Sequence, residues 1–224
     1  MERTIIKTRD GSHTIEIPAL HAAYHSYHGA IQESMHVYIN AGLLPLLNKQ
    51  YPCIEILEIG FGTGLNALLS LMQAEDANQT IHYTAVELYP LQENEFTVLN
   101  YCEQLDREDL FPVFQSMHKC EWEKSIAITP SFTLKKIHVN LASLPDLDPV
   151  RLVYFDAFAP SSQPELWTAE IFRIIKTAMG DRGILVTYCS KSIVRRALQE
   201  AGFIVQKLQG PYGKREMVKA TLFK

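Results

Sequence analysis

The chain has 224 residues, of which 47% are hydrophobic, and its formal net charge is −4. This size and composition predict one sizeable core, and the acidic balance argues weakly against a nucleic-acid-binding protein. Neither a membrane-spanning run nor a secretion signal stands out, so we expect a cytoplasmic protein. The four cysteines lack Cys-x-x-Cys spacing and are expected to be reduced thiols rather than disulfides or zinc ligands.

The N-terminal residues predict a β-hairpin. Two stretches of alternating character, residues 3–8 and 12–17, flank Asp10-Gly11, a dipeptide typical of a type I′ turn. We expect this hairpin to lie outside the main sheet. Together with a following helix it forms an extension over residues 1–45, packed on a catalytic domain of residues 46–224.

That helix is predicted over residues 30–41, with Gly42 as its cap. Three histidines, His21, His25 and His28, lie just before it. No acid or cysteine accompanies them at helical ligand spacing, so we interpret them as pocket or surface histidines and expect no metal site.

A glycine-rich segment, Glu58 to Asn66, stands between two apolar runs. This order predicts a strand, a tight loop and a helix. The glycines Gly60, Gly62 and Gly64 let the backbone approach a ligand closely, and the helix N-terminus presents unpaired N–H groups to it. The spacing predicts a nucleotide-type cofactor and leaves NAD and S-adenosylmethionine both open, because Gly62, Gly64 and Ala67 fit the alanine form of the dinucleotide fingerprint.

Two acidic residues near the loop favour S-adenosylmethionine. Glu58 stands directly before the first glycine, where a carboxylate suits the ammonium of this donor and would repel a pyrophosphate. Glu87 ends the next apolar run, the position from which an acid can bond to a ribose diol. The pair therefore indicates a cationic cofactor.

From residue 54 onward, predicted strands and helices alternate, which indicates parallel strands with right-handed crossovers. The chain ends in two strands without a helix between them, a feature of class I methyltransferases and not of dehydrogenases. The predicted fold is therefore a Rossmann-like, mostly parallel seven-stranded sheet with a C-terminal antiparallel hairpin. The predicted helices are 66–73, 91–101, 165–179 and 190–201, the last with Ser190 or Ser192 as N-cap. The strands predicted after the first are 81–87, 132–139, 151–155, 183–189, 203–208 and Met217 to Phe223. A helical insertion is predicted over 103–130.

Asp156 follows a short apolar strand, so it lies at a strand's carboxyl end, where open α/β sheets bind their ligands. If the glycine loop ends the first strand of the sheet and Asp156 the fourth, the two lie side by side. An acid there suits amine methylation, because a protonated amine has no lone pair and Asp156 could orient it and help its proton leave. An aspartate that merely caps the turn before Pro160 is the competing interpretation.

The C-terminal segment is basic. Residues 190–224 contain eight cations and two acids, a formal charge of +6 that leaves −10 for the rest of the chain. A local phosphate-binding face and a solvated basic helix and hairpin explain this polarity about equally well. The cations are Lys191, Arg195, Arg196, Lys207, Lys214, Arg215, Lys219 and Lys224.

Four motifs follow one another along the chain: Glu58 to Asn66, Asp156 to Trp167, Arg195 to Phe203 and Lys214 to Met217. In this order they resemble one known family, the MnmC-type methyltransferase domain of the tRNA 5-methylaminomethyl-2-thiouridine pathway, in its stand-alone, MnmD-like form. The resemblance extends to Tyr24, Ser26, Glu33 and Val37 and so covers essentially the whole chain.

The resemblance implies S-adenosylmethionine as donor and, as acceptor, the aminomethyl nitrogen of 5-aminomethyl-(2-thio)uridine at the tRNA wobble position. It implies neither FAD nor a metal, because two-domain relatives make the amine with a separate FAD-dependent oxidase that this chain has no room for. Asp156 is then catalytic. The resemblance adds donor contacts from Glu58, Gly60, Gly62, Gly64, Asn66, Glu87, Tyr24, Ser26 and Glu33, and substrate contacts from Phe158, Pro160, Lys191, Arg195, Arg196, Lys214 and Arg215.

The chain departs from the family at two places. His138 stands where the family tends to have an adenine-binding aspartate, so Asn140 or a backbone carbonyl is expected to take over that contact. Tyr27 stands where relatives have a polar residue, and stacking on a ligand and packing in the core explain it equally well.

Two other functions remain open at this point. One is a methyltransferase or aminopropyltransferase for small amines, against which the basic C-terminal residues argue, since phosphates need such cations. The other is a cofactor-binding module without catalysis, against which Glu58, Glu87 and Asp156 argue. tRNA is the partner that the resemblance predicts, with neither a membrane nor an obligate protein partner.

Overall fold

The computed structural model describes residues 2–49 and 51–222, which form a three-stranded N-terminal sheet and an eight-stranded central sheet. The strands are β1 (Thr4–Lys7), β2 (His13–Ile17), β3 (Ala22–Ala23), β4 (Ile54–Ile59), β5 (Ile81–Val86), β6 (Ser125–Thr129), β7 (Phe132–Ile137), β8 (Val150–Phe155), β9 (Met179–Thr187), β10 (Ile204–Gln209) and β11 (Glu216–Thr221). The α-helices are α1 (Ala30–Ser34), α2 (Leu44–Leu47), α3 (Leu65–Asp76), α4 (Glu93–Phe96), α5 (Tyr101–Gln104), α6 (Phe111–Lys119), α7 (Ala169–Thr177) and α8 (Ser192–Glu200).

The central sheet has the order β10-β11-β9-β8-β4-β5-β7-β6. Its five middle strands run parallel, and β10 and β11 form an antiparallel hairpin beside β9. This arrangement confirms the predicted class I fold with its closing hairpin. The predicted count of seven strands omitted β6, an antiparallel edge strand that lies within the segment interpreted as a helical insertion.

Apolar side chains cover both faces of the parallel strands, as is usual where helices flank a sheet on both sides. β4 and β8 are almost fully buried, and two hydrophobic clusters lie around them. The N-terminal hairpin also forms, with β3 added to it as a third strand. The predicted type I′ turn at Asp10-Gly11 was wrong: Gly11 has a positive φ but Asp10 does not, and the Gly11 N–H donates to the Thr8 backbone oxygen at 3.1 Å. The central strands therefore form a rigid base, and their carboxyl ends lie at one edge.

The helix predicted over 30–41 is longer than expected. α1 continues without a break into a π-helix, Met35–Leu43, and then into α2. Gly42 is therefore not a cap but an interior residue. A Cβ atom at Gly42 would lie 3.1 Å from the Val186 side chain and 3.3 Å from Leu152 and Tyr154, so this glycine lets the helix lie close to the sheet.

Other element ends differ by smaller amounts. The helix predicted over 91–101 consists of two short helices, α4 and α5. Lys191, not Ser190 or Ser192, is the N-cap of α8, without a side-chain hydrogen bond. Phe223, the last residue of the predicted final strand, lies outside the described residues. None of the helices in the described part of the chain has the length and apolar character needed to cross a membrane.

Candidate active site

A cavity of about 780 Å³ opens where β4, β5 and β8 end. Its floor consists of the residues that follow these strands, and its walls come from residues 20–28 and from the turn between β10 and β11. β4 pairs directly with β8, so the glycine loop and the Asp156 segment lie beside each other as predicted. Parallel sheets bind ligands at this edge.

Two glycines of the loop form part of the cavity wall. Gly60 has a φ of +91°, and a Cβ atom there would lie 2.8 Å from the backbone oxygen of Asp156. Gly62 has a φ of +51°, and its Cβ would lie 2.9 Å from the Tyr24 ring. Gly64 is not part of the wall; a Cβ there would meet His118 at 2.8 Å, so this glycine is required by packing.

Glu87 lies at the edge of the cavity, with both carboxylate oxygens held by backbone donors. The Gly62 N–H donates to Oε2 at 2.9 Å, and the Tyr89 N–H donates to Oε1 at 2.7 Å. Each oxygen keeps a lone pair for a further donor. The carboxylate is thus fixed at the cavity edge and can accept further hydrogen bonds from a ligand.

Asp156 is held by two side-chain donors. The Tyr38 hydroxyl donates to Oδ1 at 2.6 Å, and the Asn66 amide donates to Oδ2 at 2.9 Å. Burial raises the pKa of Asp156 to about 7, with Glu33 adding to the rise and Tyr38, Asn66 and Lys214 opposing it. The carboxyl group therefore titrates near neutral pH, as suits a proton acceptor.

Glu58 lies behind Asn66 and is not part of the cavity wall. The Asn66 amide that donates to Asp156 also donates to Glu58 Oε1 at 2.9 Å. Burial raises the pKa of Glu58 well above its usual range. The structure thus brings Glu58, Asn66 and Asp156 into one network, in which Asn66 lies between Glu58 and the ligand space.

The predicted N-terminal site residues, Tyr24, Ser26 and Glu33, all line the cavity. The Tyr24 ring meets the Phe158 ring edge to face at 4.9 Å, and the Ser26 N–H donates to Glu33 Oε2 at 2.7 Å. The other Glu33 oxygen pairs with the Lys214 ammonium. The first helix and the last turn are therefore joined by a charge pair at the wall.

The predicted basic residues separate into two groups. Lys191, Lys214 and Arg215 line the cavity. Arg195 and Arg196 do not: Arg195 donates to Ser190 O and Ser192 Oγ, and Arg196 lies with Pro160 in a separate shallow depression beside α8.

Two tyrosines of the site were not predicted. Besides Tyr38, the sequence analysis missed Tyr188, which lines the cavity, donates to the Ala157 backbone oxygen at 2.9 Å and has Lys214 Nζ 4.0 Å from its ring centre. No motif marks either residue. Their positions follow only from the fold, which brings Tyr38 to a partner 118 residues away.

The histidines of the N-terminal segment, His21, His25 and His28, were interpreted as pocket or surface residues; all three line the cavity, and His21 is also exposed. Burial lowers the pKa of His25 to about 4. The described residues contain no cluster of three or more metal-ligating side chains.

The segment after β7 contributes Val139 and Asn140 to the wall. His138 is turned aside, with Nε2 3.0 Å from the Leu88 backbone oxygen. Of His138 and Asn140, only Asn140 lines the cavity, and its Oδ1 accepts from the Ala142 N–H at 3.0 Å.

A family model described as S-adenosyl-L-methionine-dependent methyltransferase matches residues 108–222. Over 221 residues the chain is 28% identical to the tRNA 5-methylaminomethyl-2-thiouridine biosynthesis bifunctional protein MnmC of Burkholderia multivorans, covering 92% of this chain and 33% of that protein. The protein of the same name from Burkholderia mallei is 30% identical over 233 residues, covering 96% and 34%. The chain thus spans about a third of these curated relatives.

Solved structures share the fold of this chain. The crystal structure of MNMC2 from Aquifex aeolicus superposes with a TM-score of 0.80 at 26% identity, covering 99% of this chain and 70% of that one. Spermidine synthase from Thermotoga maritima superposes with a TM-score of 0.55 at 12% identity, over 99% of this chain and 72% of that one, and shares the fold.

Proposed function

The chain belongs to the family of S-adenosyl-L-methionine-dependent methyltransferases, and from this membership we propose that it methylates the aminomethyl nitrogen of 5-aminomethyl-(2-thio)uridine at the wobble position of a tRNA. The product is 5-methylaminomethyl-(2-thio)uridine. The observation that carries this proposal is Asp156, a carboxyl group titrating near neutral pH beside the glycine loop in a cavity that also contains Lys191 and Arg215. The names of the relatives and the likeness to MNMC2 support the choice of acceptor.

The cavity residues fit the methyl donor. Gly60 and Gly62 line the cavity, and a Cβ atom at either position would collide with the Asp156 backbone or the Tyr24 ring, so only glycine fits the loop there. Glu87 can accept hydrogen bonds from a ribose diol. We assign these three residues to the donor, with Tyr24, Ser26 and Asn66 in the adjoining wall. S-adenosylmethionine supplies a methyl group already activated by the sulfonium.

Glu33 and Glu58 act on this site less directly. Glu33 is paired with Lys214 and holds the Ser26 backbone, so it positions the wall. Glu58 is reached only through Asn66, so it orients the amide that holds Asp156. Gly64 supports the loop through its contact with His118.

At Asp156 the chemistry is a proton transfer followed by an in-line displacement. An alkylamine has a reference pKa of roughly 10.4 and is mostly protonated at neutral pH. We propose that the Asp156 carboxylate first accepts a proton from the ammonium, which frees the lone pair of the acceptor nitrogen. The nitrogen then forms its bond to the methyl carbon as the carbon–sulfur bond breaks and the electron pair of that bond leaves with sulfur. Tyr38 and Asn66 fix both oxygens, which positions the acceptor nitrogen for attack.

The direct test is incubation of the protein with methyl-labelled S-adenosylmethionine and tRNA that carries 5-aminomethyluridine, followed by digestion and nucleoside analysis. We expect label in 5-methylaminomethyluridine. Label transferred to putrescine or another small amine, and none to tRNA, would instead establish the small-amine alternative.

Replacing Asp156 with asparagine should separate binding from chemistry. The substitution Asp156→Asn keeps the shape and a partner for the Tyr38 hydroxyl but removes the proton acceptor. We expect kcat to fall by roughly 10²- to 10⁴-fold, the usual contribution of a general base, with the Kd for S-adenosylmethionine changed by less than about threefold. Calorimetry and single-turnover kinetics measure the two quantities, and an unaltered kcat would dismiss the role of Asp156.

A further inference from the structure

Two exposed aromatic side chains line the cavity, and a third contacts a residue that lines it. In the part of the chain that the structure describes, the exposed aromatic residues are Tyr27, Tyr89 and Tyr212. Tyr27 and Tyr89 line the cavity, and Tyr212 contacts His28, which lines it as well. Large exposed aromatic groups next to a cavity often mark a binding surface, and their grouping here indicates one.

These tyrosines fall into two groups. Tyr89 lies on the side assigned to the methyl donor, because its N–H donates to Glu87. Tyr27 precedes His28 in the chain, and Tyr212, in the turn between β10 and β11, contacts the His28 ring. We call Tyr27, His28 and Tyr212 the aromatic rim.

The rings of the rim are held in place although their faces are open to solvent. Tyr212 is 66% exposed and meets His28 edge to face at 5.2 Å. The next residue, Gly213, has a φ of +84°, and a Cβ there would fall 2.1 Å from the His28 ring, so only glycine permits this contact. Tyr27 is 53% exposed, and its hydroxyl donates to Glu16 at 2.8 Å. Such fixed rings lose little entropy when a ligand covers them.

Cations lie beside the rim. Lys191 and Arg215 line the same cavity, and Arg215 lies in the same turn as Tyr212. The charge of +6 on residues 190–224 is therefore presented, in part, next to exposed aromatic faces. Aromatic platforms flanked by cations are the combination with which proteins bind single-stranded nucleic acids.

We propose that the aromatic rim stacks a nucleobase adjacent to the target nucleotide in a single-stranded RNA. The inference rests on the proposed function and extends it from the reacting nucleotide to its neighbour. Because every base has a π face, stacking on the rim tolerates different sequences, whereas hydrogen bonds to base edges would select one. The site thus admits several RNAs that share the target nucleotide and differ beside it.

The test compares Tyr212→Ala and Tyr212→Phe with the wild-type protein on two substrates. One is the free nucleoside 5-aminomethyluridine, and the other is a seven-nucleotide single-stranded RNA with this nucleoside at its centre. Ile204→Ala is the matched control, because Ile204 is an exposed apolar residue of the same hairpin and does not line the cavity.

We expect Tyr212→Ala to lower kcat/KM on the oligonucleotide about tenfold more than on the nucleoside, since one base stacked on an aromatic ring contributes about 1–3 kcal/mol and 1.4 kcal/mol is tenfold. Tyr212→Phe retains the ring and should behave as wild type, as should Ile204→Ala. Equal losses on both substrates, or none, would overturn the proposal.

Binding of the unmodified oligonucleotide, followed by fluorescence anisotropy, keeps the proposed function and the rim separate. If the wild type transfers no methyl group but binds the oligonucleotide more tightly than Tyr212→Ala does, the proposed acceptor is wrong, whereas the stacking role of the aromatic rim is supported. If Tyr212→Ala instead changes the sedimentation of the protein alone and leaves oligonucleotide binding unaltered, the rim contacts a second copy of the chain and the proposal falls.

Discussion

At the scale of single residues, the hydroxyl of Tyr38 sets the working range of Asp156. The hydrogen bond from Tyr38 stabilises the ionised carboxylate and so lowers the pKa of Asp156 against the effect of burial. A general base works only when ionised, so activity should fall as the pH drops through this pKa, near 7. Removing the hydroxyl in Tyr38→Phe raises the pKa, and we expect the acidic limb of the kcat/KM profile to move about one unit to higher pH.

The measurement is the ratio of wild-type to variant kcat/KM from pH 6 to 9, because titration of the acceptor amine cancels in it. The other ionisable groups that interact with Asp156, namely Glu33, Glu58, Tyr83, Tyr188 and Lys214, are present in both proteins. Tyr154→Phe is the control: its hydroxyl lies 3.2 Å from Ser70 Oγ and its ring is 5.2 Å from that of Tyr38. A profile of Tyr38→Phe that coincides with that of Tyr154→Phe would contradict the prediction.

Sequence reasoning located three members of this network, Glu58, Asn66 and Asp156, but not Tyr38, which bonds to Asp156. Asp156 was predictable because it follows an apolar strand, and strand ends meet at one edge of a parallel sheet. Tyr38 was not, since its role depends on a contact 118 residues away and on a helix that lacks the regular α period. Tyr27 was left open between stacking and core packing, and its exposure excludes the core.

At the scale of elements, the π-helix Met35–Leu43 brings Tyr38 to Asp156, and Gly42 lets that helix approach the sheet. A valine at this position would collide with Val186, Leu152 and Tyr154. We expect Gly42→Val to lower the free energy of unfolding by about 1–3 kcal/mol, the usual cost of overpacking. Urea denaturation measures the loss.

Asn40→Val places the same β-branched residue at an exposed position of the same π-helix, so it controls for helix propensity. We expect its free energy of unfolding to stay within about 0.5 kcal/mol of the wild-type value. Equal losses in both variants would mean that propensity, and not the contact between helix and sheet, determines the effect.

The elements themselves were largely predictable where their faces are buried. The parallel strands were predictable because both of their faces are covered, which makes their sequences apolar runs. The C-terminal hairpin was predicted from two such runs without a helix between them. β6 was missed because it is a five-residue edge strand in which no side chain is fully buried, and its apolar residues 126–128 are too few to indicate a strand. Pro112 and Pro130 also indicated irregular structure in that segment.

At the scale of the whole molecule, the opposed charges of the two parts of the chain predict salt-sensitive RNA binding. Arg215 lies at the cavity mouth, so we expect Arg215→Ala to weaken tRNA binding and to reduce the slope of log K against log salt by about one. Filter binding between 50 and 300 mM KCl measures the slope. We expect Lys191→Ala to weaken tRNA binding and reduce the slope by the same amount.

The control for this prediction is Arg173→Ala. Arg173 is a cation on α7 that pairs with Glu200 and does not line the cavity. Its removal should leave the slope as it is in the wild type. If Arg173→Ala and Arg215→Ala reduce the slope equally, the RNA is attracted by overall charge, and the cations at the mouth have no special part.

The ion pair between Glu33 and Lys214 in the cavity wall has a consequence for the synthesis of the protein. Ribosomes release a chain from its N-terminus, so residues 20–33 emerge long before the turn that contains Lys214 and Arg215. Until that turn arrives, the Glu33 carboxylate lacks the ammonium that neutralises it in the folded protein, and the cavity lacks one wall. The nascent chain should therefore bind neither methyl donor nor RNA in the folded manner until residue 216 has left the exit tunnel.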